Sequence, residues 1–453
     1  MTGKELVLQT FRHEDGPVPW VPFVGVHAGT LVGLTARELY TDADKLVGAM
    51  IEAERLYHPD GLPVMFDLQI EAEALGCQLL WSDDSPPTVS HHPLETTSEI
   101  PTRIPATTDG RVGLALDVTR RLDAAFGDRV ALYGLICGPF TLASHLRGTT
   151  IFMDIFDDPD YVGRLISYAT DVACSMADLY IDAGAAVVAC VDPLVSQISP
   201  DHFTQFLSAS FERLFAHIRS RSVPSSFFVC GDATKNVEVM CATGPDGISI
   251  DENIDLASAK QITDQHNVVI AGNIPLASVM LFGTQQDNMQ ATLAILDSVD
   301  NRNFICSPGC DMPFRVPPEN VIGCGQAVRE TEATRALVAD YASAGEAIDV
   351  ELPDYDNLEK PLVEVFTIDS DSCPACGYMY QSAMGAKEDY GDTIDVIEYK
   401  ATTRENVARM KKMGIAHLPS IYINGELVFS SVIPSRDELN GEIALVMGLQ
   451  GCP

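Results

Sequence analysis

Short apolar runs separated by helical patterns recur along the first two thirds of the chain. Eight of them fall between residues 17 and 310: Trp20 to Val24, Leu62 to Phe66, Val130 to Ile136, Ala186 to Val191, Ser226 to Cys230, Gly247 to Ile250, Val268 to Gly272 and Phe304 to Cys306. Short apolar runs of this kind predict strands buried on both faces, and the helical stretches between them predict the helices that cover those faces. Strand alternating with helix in this way predicts an α/β fold, a (β/α)8 TIM barrel, with an open doubly wound sheet as the rival. No GxGxxG follows the first run, and the long helical stretch Asp154 to Ala183 suits a barrel's outer layer. The span from Phe66 to Val130 is too long for one crossover helix, so an insertion is expected there, with Gln78 to Trp81 and Thr88 to His91 as hairpin strands.

The pattern changes after a helical run that starts at Pro318 and ends near Ala347. Residues 348–360 are acidic, contain proline and have no apolar period, which reads as a linker between a barrel over 1–347 and a smaller α/β domain over 361–453. In that domain the order is strand (Leu362 to Ile368), Cys373-Pro-Ala-Cys376, helix, strand (Ile394 to Tyr399), helix, Leu418-Pro419-Ser420, two strands across an Asn424-Gly425 turn, helix. A cysteine at a helix N-terminus has its thiolate stabilised by the helix dipole. Cys373 is therefore expected to be the exposed attacking thiol and Cys376 the buried resolving one. Half of a zinc site is the alternative for a CxxC pair, but it requires a second pair, and only Cys452 lies downstream. The segment resembles a thioredoxin or glutaredoxin domain, which implies a cis Pro419 facing the cysteine pair.

Formal charge is −35, from 29 basic and 64 acidic residues, which argues against nucleic acid or an anionic membrane as a partner. The N-terminus has no apolar signal segment, and no run of about 18 apolar residues occurs, so a soluble cytoplasmic protein is expected. The 12 cysteines show no repeated spacing and several sit in apolar stretches, which suits a reducing compartment.

Barrel enzymes carry their chemistry at the carboxyl ends of the strands. Here those ends hold His27, Asp67, Asp192, Cys230, Glu252, Asn273 and Cys310. Capping of the following turn is the alternative role for Asp192, loop-backbone support for Asn273, and either of these for Asp67. His145 falls on a helix and reads as structural.

Glu71-Ala-Glu-Ala-Leu-Gly76, Tyr133-Gly-Leu-Ile-Cys-Gly138-Pro139-Phe140-Thr141-Leu142-Ala143-Ser144, Gly272-Asn273-Ile274-Pro275, Leu281-Phe282-Gly283-Thr284 and Pro317-Pro318-Glu319-Asn320 follow one another along residues 1–330. This region resembles the uroporphyrinogen decarboxylase superfamily, which implies the barrel independently of the strand pattern. Its decarboxylases carry an arginine segment near the N-terminus and a late Gly-His-Gly, where this chain has Val26-His27-Ala28-Gly29 and Gly309-Cys310-Asp311. A substrate with several carboxylates is not easily held without that guanidinium.

The corrinoid-linked methyltransferases of the superfamily carry His-x-Cys after the fifth strand and Gly-Cys after the eighth as zinc ligands. This chain offers Phe228-Val229-Cys230 and Gly309-Cys310, both cysteines without the histidine. The resemblance implies zinc on Cys230 and Cys310; without the histidine, a carboxylate, Glu252 or Asp232, is the candidate third ligand, since carboxylate oxygen also binds zinc, and His27, Asp67, Asp192 and Asn273 are expected to line the substrate pocket. It also implies a corrinoid carried by a separate partner protein, since no cobalamin-binding Asp-x-His-x-x-Gly occurs in the chain, and a small methyl donor or thiol as substrate. A thiol-redox partner would serve Cys373 and Cys376. The alternatives are a decarboxylase-like lyase and a barrel without chemistry that serves as a redox adaptor.

Overall fold

The computed structural model describes residues 1–342, 349–370, 374–415 and 417–448. The chain divides into two compact units, Met1–Val195 with Ser199–Ser343, and Ser196–Ile198 with Ala344–Pro453. In the first unit the strands are β1 (Gly61–Pro63), β2 (Gln78–Leu80), β3 (Thr88–His91), β4 (Ala131–Cys137), β5 (Val187–Val191), β6 (Ser225–Phe228), β7 (Gly247–Ser249), β8 (Val269–Ile274) and β9 (Phe304–Pro308). All but β2 and β3 join one seven-stranded sheet in the order β1-β4-β5-β6-β7-β8-β9. Every pairing in it is parallel, from Gly61 opposite Ala131 to Ile274 opposite Pro308. This is a curled, TIM-like barrel.

Seven of the eight expected strands form. The first does not: the Trp20 segment contributes only a bridge to Cys306, with Val21 N donating to the Cys306 carbonyl and Cys306 N to that of Pro19. On its other side Trp20 N donates to Asp60 Oδ2 at 2.8 Å. The cause is local, because Pro17, Pro19 and Pro22 supply no N–H to a ladder. The inserted hairpin forms as expected, with β2 antiparallel to β3.

All seven residues of β4 are buried, as a strand covered on both faces requires. One covering helix is Pro159–Ala183, which Asp158 caps by accepting from Tyr161 N and Gly184 ends in a left-handed conformation. Among the described residues no helix is long and apolar enough to cross a membrane.

In the second unit β10 (Leu362–Thr367), β11 (Asp395–Lys400), β12 (Ser420–Ile423) and β13 (Glu426–Ser430) form a mixed sheet in the order β11-β10-β12-β13. β10 runs parallel to β11 and antiparallel to β12, and β12 is antiparallel to β13. Val363, Val365, Ile421 and Ile423 pack with Met379, Ala383, Leu439 and Ile443 of the helices Pro374–Tyr390 and Arg436–Val446. The Leu418–Pro419 peptide is cis.

The segment read as a linker is not idle. Tyr355 lies in a short 3-10 turn, its hydroxyl donates to Glu364 Oε1 at 3.1 Å, and Glu364 is fully buried on β10. Lys412 Nζ donates to the Val350 carbonyl at 2.8 Å. Truncation at Lys360 removes both contacts and leaves the buried Glu364 carboxyl with neither oxygen hydrogen-bonded. A fragment beginning at Asp349 should therefore be more stable than one beginning at Lys360 by about 1–3 kcal/mol. Urea unfolding of the two fragments checks this, and equal midpoints would show that the segment contributes nothing.

Candidate functional site

The carboxyl ends of the barrel strands gather the residues expected there. Cys230 follows β6 and Cys310 follows β9; they are joined as a disulfide with Cα atoms 6.0 Å apart. Both side chains are half-buried. The approach is prepared by backbone. Gly231 turns with φ +82°, and its N–H donates to Asp251 Oδ2 at 2.7 Å. A side chain on Gly309 would lie 2.6 Å from the backbone nitrogen of Glu252, so glycine is what allows the chain before Cys310 to come this close.

Asp251 also accepts from Asn253 N at 2.9 Å, which makes it the group that fixes the Cys230 turn. Its neighbour Glu252 accepts from Leu276 N. Burial, together with the adjacent Asp251, raises the Glu252 carboxyl above its ordinary range. Asn273 donates to the carbonyls of Asp251 at 3.0 Å and Ile254 at 2.8 Å, so it braces the same loop.

Phe228, which stands where the resemblance implies a histidine, is 1% exposed. Its ring meets those of Phe23 and Phe66 edge to face, with centroids 4.8 and 5.5 Å away. An apolar cluster thus fills the space beside Cys230 where an imidazole would have stood. Among the described residues no three His, Cys, Asp or Glu side chains gather so as to hold a metal ion.

Asp67 is buried and neutralised. It accepts from Gln69 N at 2.8 Å and pairs with the guanidinium of Arg111, whose Nε also donates to Glu73 at 2.7 Å. The Arg111 guanidinium lies over the Trp81 ring at 4.8 Å, which places the inserted hairpin segment against this ion pair. Glu71 accepts from Cys137 N at 2.9 Å at the end of β4. Burial lifts its carboxyl to about 7, against the pull of that N–H.

Asp192 acts as the cap that one sequence reading assigned to it, though on a different helix. It accepts from Phe140 N at 2.9 Å, Thr141 N at 3.0 Å and Thr141 Oγ1 at 2.6 Å, at the N-terminus of the helix Pro139–Arg147. Burial nevertheless lifts its carboxyl to about 7. His27 is fully buried, with Nδ1 3.1 Å from the Phe314 carbonyl and Nε2 2.7 Å from the Tyr57 hydroxyl. Nδ1 must donate to that carbonyl, so Nε2 accepts from Tyr57, and burial depresses the ring to about 4. Both nitrogens are engaged within the protein. His145 is likewise buried and neutral, depressed to about 3.

Three residues escaped the sequence reading. Arg111 lies in an unpatterned stretch 44 positions from Asp67, and nothing local announces the pairing. Asp251 adjoins Glu252 at a strand end and was legible in principle by the same rule. Asp311 follows Cys310; its carboxyl accepts from the backbone of Val26 and Met312, and burial raises it well above the ordinary range. In the second unit Cys376 is buried in the first turn of the helix after β10, as expected for the inner thiol, while Cys373 lies outside the described residues. Glu398 accepts from Thr367 Oγ1 at 2.6 Å and Ser370 Oγ at 2.9 Å, holding the strand end that leads toward the cysteines.

A pH test isolates Glu71. Its folded carboxyl titrates near about 7 against 4.5 in the unfolded chain, so the folded state binds the extra proton and the parent loses stability as pH rises from about 4.5 to about 7. Glu71→Gln keeps an acceptor for Cys137 N and removes the ionisation. The variant should gain on the parent across that window, by at most about 3 kcal/mol, and no further above it. Urea unfolding of both proteins at pH 5 and pH 8 reads the difference; an unchanged difference would remove the buried ionisation from the account.

The ends of β6 and β9 thus bring two cysteines together at the mouth of a TIM-like barrel. The uroporphyrinogen decarboxylase (URO-D) family profile matches residues 2–331, and the chain belongs to that family. Relatives include a methylcobamide:CoM methyltransferase MtbA of Methanosarcina acetivorans, 26% identical over 288 residues that cover 63% of this chain and 84% of the relative. A uroporphyrinogen decarboxylase of Nostoc punctiforme is 25% identical over 287 residues, 61% of this chain and 80% of its own. A solved methyltransferase from Methanosarcina mazei superposes on 73% of this chain and 99% of its own with a TM-score of 0.67 at 23% identity, which supports the barrel fold.

Proposed function

We propose that the barrel moves a methyl group between a corrinoid protein and a small thiol or other small methyl donor. The observation that carries this reading is the meeting of Cys230 and Cys310 at the mouth, where the resemblance to the methyltransferase branch implies them. The commitment of Arg111 within the protein supports it over decarboxylation. Arg111 is occupied by Asp67 and Glu73. A substrate bearing several carboxylates would find that guanidinium already committed and not free to bind it.

Zinc on Cys230, Cys310 and Glu252 is the metal set that the resemblance implies. The two cysteines suit a shared ion by position, but no third group completes it: Glu252 is committed to Leu276 N, Asp232 accepts from Thr234 N and Oγ1, and Phe228 fills the histidine position with an aromatic ring. The residues present do not fit a three-ligand zinc site, and no step is routed through one. What the chain's own groups do is positional. Asp251 fixes the Cys230 turn, Gly309 lets Cys310 approach, and Asp192 closes the helix that follows β4.

The second unit we read as a thioredoxin-like dithiol module. The sheet order β11-β10-β12-β13, the helix that follows β10 in the chain, and the burial of Cys376 in its first turn support that reading.

The reaction is tested by incubating the reduced full chain with methylcobalamin and a small thiol, following the visible spectrum and the methyl thioether formed. The methyl carbon leaves cobalt for sulfur and the thiol loses its proton. Thioether formation that depends on the protein is expected; a rate no higher than that of the mixture without protein would contradict the reading.

A further inference from the structure

We infer that Cys230 and Cys310 are a second chemical centre in their own right: a reversible dithiol–disulfide couple at the barrel mouth that exchanges two electrons with dithiol substrates, either a CxxC-type protein or a small dithiol. Four observations converge on it. The Cα atoms stand 6.0 Å apart, inside the range of about 4.4–6.8 Å that a disulfide requires without backbone movement. That approach is set by Gly231, Asp251, Gly309 and Glu252, so it does not depend on a bound ion to draw the sulfurs together.

The third observation is the Phe228 cluster. Where a histidine would complete a metal site, the ring packs against Phe23 and Phe66, and two thiols without a third ligand are left to react with each other. The fourth is access. Cys230 and Cys310 are half-buried at strand ends, whereas Cys137, Cys190, Cys306 and Cys324 are fully buried, so an incoming thiol reaches this pair and not those.

The exchange balances without an outside oxidant or reductant. In the reducing direction a thiolate of the incoming dithiol attacks one sulfur of the pair, forms a mixed disulfide and releases the other sulfur as a thiolate. The second thiol of the reductant then attacks the reductant's own sulfur in that mixed disulfide and releases the protein sulfur, so two electrons and two protons pass to Cys230 and Cys310, and the reductant leaves as a disulfide. In the oxidising direction the pair gives the same electrons and protons to an incoming disulfide. A consequence follows for methyl transfer, and it rests on that proposed function while the exchange does not: the bridged form should be at least tenfold slower than the dithiol form.

The full chain is equilibrated in buffers of graded reduced-to-oxidised dithiothreitol, the free thiols are blocked, and the digest is read by mass spectrometry for the peptide pair joined through Cys230 and Cys310. The expected result is a crosslinked fraction that rises and falls reversibly with the buffer, with Cys230 and Cys310 titrating together, and with Cys310 alkylated at every ratio in Cys230→Ser. Either thiol remaining open to alkylation in the most oxidising buffer would overturn the inference, as would a crosslink that survives excess dithiol in the folded protein. A parallel series with one equivalent of zinc should shift the curve little; complete protection of both thiols by that single equivalent would make the pair a metal site and also overturn it. Methyl transfer is measured separately on fully reduced protein, so failure there bears on the proposed function alone.

Discussion

Replacing Arg111 by alanine should destabilise the barrel unit by about 3–5 kcal/mol. The guanidinium is 8% exposed and lies between Asp67, whose side chain is fully buried, and Glu73. Removing it leaves an uncompensated carboxylate in a medium that solvates charge poorly. The cost arises from that unpaired charge, because a buried pair taken as a whole is close to neutral in net stability. Arg111→Met combined with Asp67→Asn should therefore recover much of the loss, since it removes both charges. Denaturant midpoints of the single and double variants check this. A double variant no more stable than Arg111→Ala would locate the role of Arg111 in packing against Trp81 instead.

Reducing the Cys230–Cys310 disulfide should lower the unfolding free energy of the oxidised protein by about 4 kcal/mol, because the bond closes a loop across a separation of 80 residues. The constraint acts chiefly on the unfolded chain, so the folded spectrum should hardly change while the urea midpoint falls. Cys230→Ser in oxidising buffer should unfold at the midpoint of the reduced parent. If oxidised and reduced parent unfold together, the disulfide does not persist in the folded protein in solution.

Much of this was legible in the chain and the rest was not, for identifiable reasons. The β1 and β4 to β9 strands, the β2–β3 hairpin and the meeting of Cys230 with Cys310 follow from local apolar runs and from the rule that strand ends converge at a barrel mouth. The Trp20 strand failed because three prolines interrupt its donors, a signal that was present in the residues but outweighed by their hydrophobicity. Arg111 was hidden for a different reason. An ion pair spanning 44 positions has no period, and a single arginine in a loop has no signature until the fold brings it to Asp67. Asp192 was visible as a cap, yet the helix it caps starts 53 positions earlier, at Pro139, and only the pairing of β4 with β5 brings the two together.

The candidate chemistry shows the same division. The absence of a histidine at position 228 was plain in the sequence, but not what the phenylalanine does. Its edge-to-face contacts with Phe23 and Phe66 turn a missing ligand into an occupied site, and that distinction required the fold to bring the Trp20 segment and the segment after β1 beside the end of β6. Tyr355 made the analogous difference in the second unit, where an aperiodic segment proved to be bonded to Glu364.

The central claim, that methyl transfer occurs at the cysteine pair of the barrel mouth, is tested most directly by isotope-labelled methyl transfer from methylcobalamin to a small thiol, compared among the reduced parent, Cys230→Ala, Cys310→Ala and Cys174→Ala. Cys174 lies on the helix Pro159–Ala183, away from the strand ends, and serves as the control. The account predicts that Cys230→Ala and Cys310→Ala each lose about 100-fold in rate, close to 2.7 kcal/mol of barrier at 1.36 kcal/mol per tenfold, while Cys174→Ala retains the parent rate. Labelled thioether formed equally fast by all four reduced proteins would contradict it.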